Sequence, residues 1–160
     1  MFKKVSYLVL ALALFVGAQA FMGCSSSSDD PGPLEGTWES IHGDSYIITA
    51  NKVTYDDGWD FMSYAGTIEN TRKDGSNAGY ITVKYTESAF YGADAVGKYI
   101  VIHYKNLTSS SVSLSIAYSA TDTDFDFGGP GGKTTQSAAE TTYTVTGGYF
   151  GMHGDYSKAK

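Results

Sequence analysis

The chain has 160 residues and a formal net charge of −6, which speaks against recognition of nucleic acid or anionic lipid through a basic patch. It holds a single cysteine, so an internal disulfide is excluded. Aromatics make up 14% of it, with 13 Tyr and 19 Gly, a composition that favours strands and tight turns over helices.

Lys3 and Lys4 open the chain, and Val5 to Ala18 is an apolar run closed by small residues. The run is shorter than the ~20 residues that cross a hydrocarbon core. A charged start, a short apolar centre and a small-residue end make a secretory leader. Phe21-Met22-Gly23-Cys24 follows. This run resembles the lipobox of bacterial lipoproteins in its relaxed, spirochaete-type form, where a small residue precedes a lipidated cysteine. The resemblance implies that Cys24 becomes the first mature residue and carries fatty chains such as palmitate. It also implies that Ser25, directly after the cysteine, directs export to the outer membrane or cell surface. Residues 1–23 are then the leader, and their loss takes Lys3 and Lys4 away and leaves a net charge of −8.

Residues 24–33 hold the cysteine and a polar spacer, Ser25-Ser26-Ser27-Ser28-Asp29-Asp30-Pro31-Gly32-Pro33. It has no apolar area to bury and reads as a tether. Residues 34–160 are long enough for one domain with its own core.

The body reads as strands joined by short connections. Gly36–Ile41 is the first, with Gly43-Asp44 as a turn signal, then Tyr46–Thr49 and Val53–Tyr55. Asp57-Gly58 marks another hairpin, and Phe61–Glu69 reads as a fourth strand with Met62, Tyr64, Gly66 and Ile68 on one face. Tyr80–Thr86 alternates, with Ile81, Val83 and Tyr85 inward. Lys98–Lys105 is apolar on both faces, as a covered strand is. Val112–Tyr118 alternates again, with Ser113, Ser115 and Ala117 outward. Ser137–Glu140 reads as one helical turn, and Thr141–Thr146 as an eighth strand with Tyr143 and Val145 inward. Eight short strands in sequence predict an all-β antiparallel meander closed into a small barrel.

Gly36-x-Trp38 at the head of the first strand resembles the opening motif of the lipocalins. In that family an arginine after the last strand lies across this tryptophan. The only arginine here is Arg72, in mid-chain, so that clasp is expected to be missing. The whole chain is similar to short lipocalin-like spirochaete lipoproteins, with Tyr104-Lys105-Asn106-Leu107-Thr108 as the most similar stretch. The resemblance implies a lipid-anchored envelope protein; no cofactor is expected.

Trp38, Tyr46, Tyr55, Tyr64, Tyr85, Tyr104 and Tyr118 are the candidate interior aromatics. They make either a filled core or a cup for a small apolar ligand, since eight strands stand at the border between the two. The alternative is a solid barrel that meets other proteins through its loops, Glu87–Val96 and Ser119–Glu140, with Phe90, Tyr91, Phe125 and Phe127 exposed. Asp122, Asp124 and Asp126 are spaced as a calcium loop begins, but Phe127 and Lys133 stand at the sixth and twelfth positions. The segment therefore reads as an exposed acidic loop. His42, His103 and His153 are far apart in sequence, His103 reads as an outward polar position, and no Gly-x-Ser-x-Gly elbow occurs. No catalytic grouping emerges, and the chain reads as a binding module rather than an enzyme.

Overall fold

The computed structural model describes residues 33–126, 129 and 131–160; the leader, Cys24 and nearly all of the tether lie outside them. Eight antiparallel strands close into a barrel: β1 Gly36–Ser40, β2 Ser45–Ile48, β3 Lys52–Asp56, β4 Tyr64–Lys73, β5 Gly79–Ser88, β6 Tyr99–Lys105, β7 Ser111–Ile116 and β8 Gly154–Lys158. Each pairs with its neighbour in sequence, and β8 returns to pair with β1, so no sheet edge is left open. One short helix, α1 Gln136–Thr142, lies in the long connection from β7 to β8.

The last strand is not where the hydrophobic pattern puts it. Thr141–Thr146 does not form a strand; α1 ends within it, and Gly154–Lys158 closes the barrel. Thr135 caps α1 by accepting from the Ala138 N–H at 3.2 Å. Tyr143 is fully buried at the helix end, but Val145 is 47% exposed, so the apparent alternation of the two is not a strand face. The true closing strand sends inward only Tyr156 and Lys158, too little apolar content for the pattern to register.

β4 also begins later than the pattern predicts and runs further. Asp57 is the cause. Its carboxylate accepts from the N–H groups of Trp59, Phe61 and Met62 and from the Ser63 hydroxyl. These bonds hold 57–63 as a loop, and Phe61 and Met62 stay exposed. From Tyr64 the chain enters the sheet, with a bulge between Ala65 and Gly66 against β5. A side chain at Gly66 would lie 2.4 Å from the Lys84 carbonyl oxygen, so the bulge requires glycine there.

The barrel has two unlike ends. The end where β1 starts is plugged by Leu34, Trp38, Ile48, Val53, Ile81, Ile100, Ile102, Tyr104 and Val112, nearly all fully buried. The Trp38 indole donates to the Leu34 carbonyl at 2.7 Å. The cationic clasp expected to be missing is present in another form: Lys158 of β8 carries its ammonium 5.1 Å above the Trp38 ring.

β6 is buried on both faces, as its sequence implies. α1 packs outside β6 and β5, where Val101, His103 and Thr82 are buried. His103 does point outward, but under this cover it is only 5% exposed. Glu140 ties the helix down, accepting from Asn70 at 3.0 Å, Thr82 at 2.9 Å and Gln136 at 2.9 Å.

The net charge conceals a polarity. The turns at the plugged end hold Lys52, Arg72, Lys73 and Lys105, with Lys158 beside them, against Glu35 and Asp74. The opposite end gathers Asp44, Asp56, Asp57, Asp60, Glu87 and Asp94 against Lys98, with Lys133 there paired to Asp122 and Asp124.

Candidate functional site: a tyrosine-lined mouth

The unplugged end opens into a cavity of about 220 Å³. Its wall begins as a row across the sheet. Tyr46 pairs with Tyr55 and Tyr55 with Tyr64, while Trp38, opposite Tyr46 on β1, carries the row into the plug. The bulge then shifts the register so that Tyr85 stands opposite Gly66. β2, β3 and β4 thus each deliver one ring to the inner face in register, and Tyr85 joins them from a position two residues along β4. Ring centroids are 4.7 Å apart for Tyr46 and Tyr55, 5.3 Å for Tyr55 and Tyr64, and 5.5 Å for Tyr64 and Tyr85, the last pair nearly perpendicular. Tyr156 of β8 sets its ring edge against Tyr46 at 5.2 Å.

Of the seven predicted interior aromatics, Tyr46, Tyr55, Tyr64, Tyr85 and Tyr118 line this cavity, and Tyr118, 43% exposed, stands at its lip. Trp38 and Tyr104 do not; they belong to the plug. The sequence places Phe90, Tyr91 and Phe125 on exposed loops rather than in the interior, puts Met62 on the Tyr64 face, and gives no sign of Tyr156 or Met152; all six join the lining. The first three lie in loops with no strand periodicity, so only their aromatic character marks them. The cavity shares Met62, Phe90, Tyr91, Tyr118, Phe125 and Met152 with a wider outer recess of about 640 Å³. The barrel is filled at one end and hollow at the other.

The wall chemistry is neutral and phenolic. Tyr46 and Tyr64 share a hydroxyl–hydroxyl bond of 3.2 Å. Burial holds the phenols of Tyr46, Tyr64, Tyr85 and Tyr156 far up, and burial with the nearby Asp44 and Asp57 carboxylates takes Tyr55 to about 12. None ionises near neutrality. Tyr85 lines this space, and its hydroxyl has no hydrogen-bond partner among the described residues. Behind the rings, Asp44 accepts from Ser40 and from the Tyr156 hydroxyl. Burial by itself raises the Asp44 carboxyl, but these bonds outweigh it and keep the group ionised below the usual range.

The loop aromatics named as an exposed surface are mostly packed. Phe125 is 8% exposed, Phe90 and Tyr91 are half-buried against each other, and Phe127 lies outside the described residues. Trp59 and Phe61 of the β3–β4 loop are exposed instead, at 84% and 61%.

Asp122 and Asp124 face inward to the chain rather than to solvent. Lys133 forms ion pairs with both, Tyr149 donates to Asp122 at 2.8 Å, and Tyr143 donates to Asp124 at 2.9 Å. They knit the long connection together; Asp126 takes no part in these pairs and is exposed. Among the described residues no group of three or more His, Cys, Asp or Glu is arranged to hold a metal ion. His103 and His153, distant in sequence, meet on the outer face with ring nitrogens 2.8 Å apart.

The geometry defines a closed eight-stranded meander barrel with one plugged end and one aromatic mouth. The chain matches no family model, no curated protein and no solved structure.

Proposed function

We propose that the protein is a lipocalin-like binding module of the bacterial cell envelope, anchored through an acylated Cys24, that takes a small ring-bearing apolar ligand into its mouth. The observation that carries this reading is the 220 Å³ cavity with its tyrosine wall, continuous with an outer recess. Ligand pockets are concave, mainly apolar and supplied with a few fixed polar groups. Here the rings supply the apolar surface and the Tyr46, Tyr64 and Tyr85 hydroxyls supply the polar points. The lining has no carboxylate and no imidazole, so it offers no pair of groups for proton transfer, and the proposed action is binding rather than catalysis. No cofactor and no nucleic acid enter the reading.

The test uses N-phenyl-1-naphthylamine, a neutral dye that brightens in apolar sites. The full chain is expected to bind it saturably. Ser88→Trp fills the lip of the cavity from the end of β5 and is expected to weaken binding by about tenfold or more, the loss of about 1.4 kcal/mol or more of apolar contact. Equal binding by a folded Ser88→Trp protein would place the dye elsewhere and remove the reading.

A second reading draws on Trp59 and Phe61. Large exposed aromatics at a loop tip are a surface for another protein. Trp59→Ser with Phe61→Ser would then abolish capture of an envelope partner and leave dye binding intact.

A further inference from the structure

We propose that the mouth selects weakly hydrated organic cations, such as an alkylated ammonium joined to an apolar ring, over neutral and anionic molecules of the same shape. This rests on the cavity being a ligand site, and it adds the charge of the ligand.

Three observations converge. The first is the wall: seven tyrosines and two phenylalanines line the cavity, with no Lys, Arg or His among the lining residues. Aromatic rings are negative on their faces and attract cations, most strongly where water is excluded. The second is the charge set behind the wall. Asp44 is bonded to the hydroxyl of Tyr156, whose ring packs on Tyr46, so an ionised carboxylate lies one ring away from the cavity. The third is the approach. Asp56, Asp57, Asp60, Glu87 and Asp94 lie in or beside the loops at this end, against Lys98 and a Lys133 already paired to Asp122 and Asp124, whereas Lys52, Arg72, Lys73 and Lys105 lie at the other. A cleft with an excess of one sign of charge at its border concentrates the opposite sign.

An anion entering this space loses its hydration and meets no basic group, which is costly. The same surroundings resist ionisation of the wall itself, as the raised phenols show. A quaternary ammonium loses little hydration, needs no hydrogen-bond acceptor, and meets ring faces and the Asp44 field. The spare Tyr85 hydroxyl is left for a polar atom elsewhere on the ligand.

Three compounds of one shape test this: benzyltrimethylammonium, its neutral carbon isostere neopentylbenzene, and benzylsulfonate. Dissociation constants are measured on the full chain by ligand-observed NMR, in competition with N-phenyl-1-naphthylamine. The cation is expected to bind about tenfold more tightly than the isostere, with the sulfonate weakest. Asp44→Asn is expected to narrow the gap between cation and isostere without changing affinity for the isostere. Binding of the dye with no preference for the cation overturns this inference and leaves the cavity reading standing. Tightest binding of the sulfonate overturns it as well. Loss of dye binding altogether overturns the cavity reading and this inference with it.

Discussion

Lys158 does two things from one position. Its ammonium sits over the Trp38 ring, and its stem passes the start of β1, where a side chain at Gly36 would meet it. Trp38 is fully buried, so the lysine covers the ring face that closes the plugged end. Lys158→Ala removes both the cation and the stem and is expected to cost about 1 kcal/mol, whereas Lys158→Met keeps the stem and is expected to recover part of it. Thermal unfolding of the two variants separates the contributions; equal losses would leave only the charge. The sequence makes Trp38 readable as a strand-head aromatic. It hides the clasp, because a lysine two residues from the chain end resembles any solvated lysine until β8 is known to lie against β1. Tyr46, Tyr55 and Tyr64 were readable for the opposite reason: period-two alternation sets their faces, and only the register was needed to align them.

At the level of elements, the long connection from β7 to β8 was the least readable part. Strand alternation is a local signal, whereas this connection owes its conformation to what it covers. α1 is only seven residues long and holds its place through Glu140 rather than through its own periodicity. Glu140→Ala leaves the buried Thr82 hydroxyl and the Asn70 amide without an acceptor and is expected to cost about 2 kcal/mol. Amide hydrogen exchange should quicken in α1 and at Tyr143 before it does in β6; uniform quickening would show that the helix does not open by itself. Further along, the glycine-rich segment around Phe150 is pinned by His153 against His103, with Tyr80 and Phe150 packed on the His103 ring. Burial, then Lys105 and His103, hold His153 down at about 4 against the pull of Asp155; burial and Lys105 hold His103 below its ordinary value against Asp74. Unfolded imidazoles take up protons near pH 6.5. Between about 6.5 and 4 the unfolded chain therefore binds more protons than the folded one. Stability from this pair is complete above that window, falls with pH across it, and loses nothing more below it. The melting temperature of the parent should drop across this window, and that of His153→Gln should drop less. Parallel curves would show that the pair does not couple to folding.

For the whole molecule, topology and charge point the same way. An even number of meandering strands brings the start of β1 and the end of β8 to one end of the barrel, and that end is the plugged and basic one. Ser25–Pro33 spans at most about 30 Å when extended. With Cys24 acylated, as proposed, the tether holds the plugged end toward the bilayer and leaves the mouth facing away. Lys52, Arg72, Lys73 and Lys105 then meet any anionic lipid, each worth about 1 kcal/mol near the surface. The acidic mouth is repelled from the same surface, so both ends favour one orientation. An acylated Cys24 leaves no free thiol, and an introduced cysteine becomes a unique probe. Trp59→Cys reports the mouth and Ala50→Cys the β2–β3 turn at the plugged end. On vesicles containing phosphatidylglycerol, a bulky maleimide is expected to label Cys at position 59 as fast as in detergent. Labelling at position 50 is expected to slow several-fold, and to recover when salt is raised past the range where screening removes the lipid attraction. Equal slowing at both positions would mean a barrel that tumbles freely on its tether, and slowing at position 59 alone would turn the mouth toward the membrane.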